Sequence, residues 1–114
     1  MIRAAAAMAE LIVRACDPEE VLLFGSFAKG RQREHSDIDL LVITAKRASD
    51  ALRHELRDLL LSFPVSVDVR LLTPDEARAA WADRGCFLQS ILSSAVPLYV
   101  RGERSIVREL AANP

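Results

Sequence analysis

"FGSFAKGRQREHSDIDLLV", residues 24–42, joins features that seldom occur together. A glycine and a serine, Gly25 and Ser26, close one apolar run. A polar loop carrying Lys29, Arg31 and Arg33 follows, and Asp37 and Asp39 then open a second apolar run. Carboxylates at the mouth of a buried strand destabilise it unless a partner compensates them. The reading of this stretch decides the fold, because it predicts two strands with a polar connection rather than one helix.

Upstream, "EVLLFG" (20–25) is a short apolar run stopped by glycine, the pattern of a buried strand. "DIDLLVIT" (37–44) predicts the next strand. Alternate side chains of a strand share a face, so Asp37, Asp39, Leu41 and Ile43 point one way and Ile38, Leu40 and Val42 the other. "VSVDVRLL" (65–72) alternates strictly, with Val65, Val67, Val69 and Leu71 on one face and Ser66, Asp68, Arg70 and Leu72 opposite. "AVPLYV" (95–100) predicts a last short strand, and Pro97 favours a sheet edge. Helices are expected over 3–15, stopped by Asp17-Pro18; over 49–63, capped by Ser49 and closed by Pro64; and over 73–85, with Pro74 in its first turn. Shorter helices are expected at 26–32 and 86–94, and a further one in the tail. Strands alternating with helices predict an α/β or α+β chain, with a mixed sheet of about four strands flanked by helices.

Composition narrows the function classes. A chain of 114 residues is expected to form one domain over 1–114, with its core over about 20–100. The formal net charge of -1 supplies no general attraction for nucleic acid, so no direct nucleic-acid binding is expected. Cys16 and Cys86 are far apart in sequence and fit buried thiols better than a zinc site. The alanine-rich start is interrupted by Glu10 and Arg14 too early for a membrane span, so an amphipathic helix and a cytoplasmic protein are expected.

The aspartates carry the chemistry. Asp37 and Asp39 have Cα atoms about 6–7 Å apart at strand rise. Side chains so spaced can converge on one cation, or on two ions about 3.5–4 Å apart. If the two strands are neighbours, Asp68 joins them, and mutual repulsion then calls for a positive partner. Magnesium suits such all-oxygen ligands and keeps positions for substrate phosphates. Gly25 and Ser26, between a strand and a helix start, can present backbone N–H groups and a hydroxyl to phosphate. Lys29 and Arg31 add positive charge beside the carboxylates. The structural alternatives are a serine cap at 26, a turn-ending Asp37, exposed strand positions for Asp39 and Asp68, and a solvated basic loop that includes His35.

Gly25-Ser26, ten intervening residues and Asp37-x-Asp39, with Asp68 on a later strand, closely resemble the nucleotidyltransferases of the polymerase-beta superfamily. Gly30 and the Ser36–Leu40 run are especially similar to the minimal, MNT-type branch. "VDVRLLTPDEA" and "FLQSILSSAVPLYV" resemble that branch's third strand and ending. The resemblance covers about residues 20–100 and implies the polymerase-beta-like nucleotidyltransferase fold. It also implies binding of a nucleoside triphosphate, usually ATP, with two Mg²⁺ ions. Asp37 and Asp39 would hold both metals, and Asp68 would ligate the catalytic one and help activate the attacking hydroxyl. Gly25 and Ser26 would contact the triphosphate. It further implies an antitoxin that adenylylates a tyrosine of a HEPN-type toxin. A small-molecule transferase resembling aminoglycoside nucleotidyltransferases and an antitoxin that masks its toxin without chemistry remain open alternatives, as does a homo-oligomer.

Overall fold

The computed structural model of the chain describes residues 2–25, 38–45, 50–82 and 95–102. Helix α1 spans Ile2–Cys16, strand β1 Glu20–Phe24, strand β2 Ile38–Ile43 and helix α2 Asp50–Leu59. Strand β3 (Val67–Leu72), helix α3 (Pro74–Ala82) and strand β4 (Val96–Val100) complete the order. The expected short helices at 26–32 and 86–94, the tail helix, the Ser49 cap and Cys86 lie outside the described residues.

The strands form one four-stranded sheet in the order β3-β2-β1-β4. β1 pairs antiparallel with both β2 and β4, and β2 pairs parallel with β3, so the sheet is mixed as expected. β1 and β2 occupy the centre and read as near-continuous apolar runs, because side chains on both of their faces are covered. Pro97 lies on β4, an outer strand, where a missing N–H costs least.

Helices α1 and α2 cover one face. On α1, Ala5, Met8, Ala9, Ile12 and Cys16 recur at helical spacing and are all buried, whereas the Glu10–Arg14 pair points to solvent. Full burial of Met8 and Ile12 contributes roughly 1.5–3 kcal/mol each. The helix stops where Asp17 turns left-handed (φ 47°) while its N–H still reaches the Val13 carbonyl at 3.0 Å. Arg101, just past β4, ties this corner to the sheet. Its N–H donates to the Glu19 carbonyl at 2.8 Å, and its guanidinium donates to the Asp17 and Glu19 carboxylates. The hydrogen bond to Asp17 holds the Arg101 guanidinium above its ordinary pKa.

Two elements are shorter than their patterns predicted. α2 ends at Leu59 instead of Phe63, and tighter turns follow, with Leu61 N–H donating to the Asp58 carbonyl and Phe63 N–H to that of Leu60, both at 3.2 Å. The residue before a proline is disfavoured in helical conformation, so the chain unwinds ahead of Pro64. β3 starts at Val67 rather than Val65, because its ladder begins opposite Ile38, where β2 begins.

α3 packs on the other face. Its start is a capping box: Glu76 N–H donates to Thr73 Oγ1 at 3.1 Å, and Thr73 N–H donates to Glu76 Oε1 at 2.9 Å. Ala77 is fully buried against Leu22, Leu41 and Ile43, with Trp81 beside them. Replacing Thr73 with alanine is expected to cost about 1 kcal/mol, read as a lower urea midpoint at unchanged slope.

Candidate functional site

The carboxylates meet at one end of the α3-side face. In the parallel ladder Asp39 is the register partner of Asp68, and in the antiparallel ladder it is the partner of Phe24. Register partners share a face, and neighbouring strands lie about 4.8 Å apart, so the two carboxylates project side by side. Leu41, Ile43, Leu22 and Leu72 continue this face inward beneath Ala77 and Trp81 of α3. The face is therefore closed at its deep end by apolar packing and polar at its mouth, where β1 ends and β2 and β3 begin.

Gly25 completes the mouth. It follows β1 directly and has φ +78°, a left-handed conformation that glycine adopts without penalty. A Cβ built there would collide with the Asp39 carboxylate, lying 3.2 Å from its Cγ and 3.5 Å from its Cβ. The Asp39 side chain occupies the space that any other residue at position 25 would fill. The glycine is needed twice over: once for the turn and once for the close approach of the carboxylate.

Two carboxylates about 5 Å apart repel by ~1–3 kcal/mol between effective dielectrics of 80 and 20. Arg70, two residues along β3 on the same face, offsets part of this, with its Nε 3.8 Å from Asp68 Oδ2. Both side chains are about half exposed, so the pair itself adds little stability. The donor set fits magnesium: two acidic oxygen donors from adjacent strands, one of them seated against the backbone of Gly25, where there is no Cβ. No cluster of three His, Cys, Asp or Glu side chains occurs among the described residues. Asp37, Ser26, Lys29 and Arg31, the other expected site residues, lie outside the described residues, as do Arg33 and His35.

Of the expected site residues, the fold brings Gly25, Asp39 and Asp68 together. It adds two that the sequence did not single out, Arg53 and Arg57 on α2. These arginines line a cavity of about 170 Å³ with Val67, Asp68 and Val69. Their i, i+4 spacing marks one helix face, but only the packing of α2 beside β3 brings that face to Asp68.

Gly25→Ala is expected to strain the turn by about 1–2 kcal/mol and to displace the Asp39 carboxylate. The measurable outcome is a loss of Mn²⁺ affinity in calorimetric titration that exceeds the loss of thermal stability. Asp68→Asn should leave the urea unfolding free energy within about 1 kcal/mol of wild type, since an exposed pair is all that it removes.

A protein-family model for the nucleotidyltransferase domain matches residues 8–95. A candidate protein adenylyltransferase of Methanocaldococcus jannaschii is 51% identical over 47 residues, which cover 38% of this chain and 31% of that protein. The match thus spans about a third of its relative's length. Among solved structures, a chain of a toxin–antitoxin complex with AMP-PNP aligns with a TM-score of 0.65 and 24% identity, over 94% of this chain and 81% of its own. A complex of a tri-AMPylated Shewanella oneidensis HEPN toxin with its MNT antitoxin aligns with a TM-score of 0.65 and 18% identity, over 98% and 85%. A candidate nucleotidyltransferase from Sulfolobus solfataricus gives 0.59 and 22%, over 90% and 83%. At these identities the structural likenesses speak to the fold, which this chain shares with them. With the domain model covering most of its length, this chain belongs to the nucleotidyltransferase domain family.

Proposed function

We propose that the chain transfers AMP from ATP to a hydroxyl, a tyrosine, of a HEPN-type toxin in the cytoplasm and so acts as its antitoxin. The observation that carries this reading is the register pairing of Asp39 with Asp68 beside Gly25, at the polar mouth of an otherwise apolar face. The names of the relatives support the class of reaction and of partner.

In this reading Asp37, Asp39 and Asp68 hold two Mg²⁺ ions, and Gly25 and Ser26 take the triphosphate through backbone N–H and hydroxyl groups. Lys29 and Arg31 neutralise its outer phosphates. The acceptor oxygen forms a bond to the α-phosphorus, the bond from that phosphorus to the bridging oxygen breaks, and pyrophosphate leaves. Asp68 receives the acceptor's proton. When bound, the magnesium ions supply charge stabilisation for the entering and leaving oxygens. Arg70 is placed to release Asp68 as ligands arrive and to compensate it before they do.

Incubation with α-labelled ATP, Mg²⁺ and a cognate HEPN protein tests the proposal. Label is expected on that protein, at a rate about 100-fold lower or less with Asp39→Asn or Asp68→Asn. An unlabelled partner, or equal labelling by both variants, would overturn it.

A further inference from the structure

A groove follows the outer edge of β3. It begins beside Leu60, Leu61 and Phe63 in a cavity of about 420 Å³. It passes Arg53 and Arg57, and it ends at Asp68 and Arg70 in a space of about 350 Å³. Consecutive sections share Val67 and Val69, then Asp68 and Val69, so the track is continuous.

The backbone along this track is oriented for pairing. Among the described residues β3 is the last strand of the sheet on its side. The Ser66 and Leu72 carbonyls accept from Ile38 N–H and Thr44 N–H, so even-numbered residues turn their backbone groups toward β2. Val67, Val69 and Leu71 therefore direct theirs away from the sheet, into the groove. The two edges differ: β4 carries Pro97, whereas β3 contains no proline and its charges, Asp68 and Arg70, sit on one face.

The side chains indicate what would bind. Arg53 is paired with Asp50 at 3.8 Å and Arg70 with Asp68 at 3.8 Å. Arg57 enters no ion pair among the described residues, and it faces the middle of the track. Leu61 is 72% exposed at the far end. Val65 and Asp68 are separated by about 10 Å of extended chain.

The geometry points to the β3 edge as the docking track for an extended, acidic segment of the acceptor protein. That segment adds as a further strand, seats an apolar residue against Leu61, pairs a carboxylate with Arg57 and delivers its hydroxyl to Asp68. The inference rests on the reading of the chain as an adenylyltransferase with a protein acceptor, and it deepens that reading by naming how the acceptor is recognised.

The test uses fluorescein-labelled nonapeptides with a central tyrosine, in acidic, neutral and basic series, and reads binding by anisotropy without nucleotide. The acidic series is expected to bind at least 10-fold tighter than the basic one, and Arg57→Glu to reverse that order. N-methylation of alternate peptide amides should abolish binding for one parity and spare the other, a readout that needs no protein variant to fold. Val69→Pro removes an outward donor and should weaken binding at least 10-fold with ATP affinity unchanged. Equal binding of the three series, or indifference to N-methylation parity, overturns the track. So does a chain that elutes as a dimer and reverts to a monomer with Val69→Pro, since the edge then belongs to a second copy. Parity-dependent binding without AMP transfer would leave the track standing and sink the enzymatic reading. AMP transfer to the toxin without parity dependence would do the reverse.

Discussion

The parallel pairing of β2 with β3 is the constraint on which the molecule depends. Parallel neighbours cannot be joined by a tight turn, so the chain must leave the sheet, cross one face and return. Here α2 makes that crossing, and it and the turn after it settle on the face already occupied by α1, through Leu52, Leu56 and Leu60. Among the described residues the opposite face receives α3, which covers its deep end through Ala77 and Trp81. Asp39 and Asp68 stand in register at the other end of that face.

That arrangement separates stability from chemistry along the same strands. Within β2, Leu40 to Ile43 are fully buried and hold the sheet to its helices, while Asp39 at the start is half-buried. Within β3, Val67, Val69 and Leu71 face the α1–α2 layer while Asp68 and Arg70 face the mouth. Because the period of a strand is two, a one-residue slip in either register would exchange these sets and bury the carboxylates. The apolar core thus specifies the register that the site requires. Gly25 adds a second, steric condition, since only a residue without a Cβ admits the Asp39 carboxylate beside the turn.

The far end of the sheet solves a different problem. There Arg101 joins the end of β4 to Asp17 and Glu19 at the corner between α1 and β1. These groups are solvent-exposed, so their role is to fix chain direction rather than to supply much stability. The ionic groups at the two ends therefore differ in kind. One set pairs acid with base at the α1–β1 corner, and the other gathers acids beside Arg70 at the mouth.

Much was legible from the sequence because the relevant signals are local. Strand periodicity in 37–44 and 65–72 put Asp39 and Asp68 on the faces where they are found, and Thr73 to Glu76 carried the capping box of α3 in its residue types. The Gly25-Ser26 and Asp37-x-Asp39 spacing, together with Asp68 on a later strand, resembled the family motif, and each part of it is a run of consecutive residues. Helix length was less legible: the apolar spacing of 52–63 ran past the point where Pro64 unwinds the backbone. What only the tertiary structure decided is which strands are neighbours and in what register. Asp68 is 29 positions beyond Asp39, as their numbers give, and nothing local couples them. The β2–β3 ladder and the α2 crossover do so, and the same packing sets Arg53, Arg57 and Asp68 around one cavity at the β3 edge. Those placements arise from burying apolar faces against one another, which is a property of the whole chain and of no single segment.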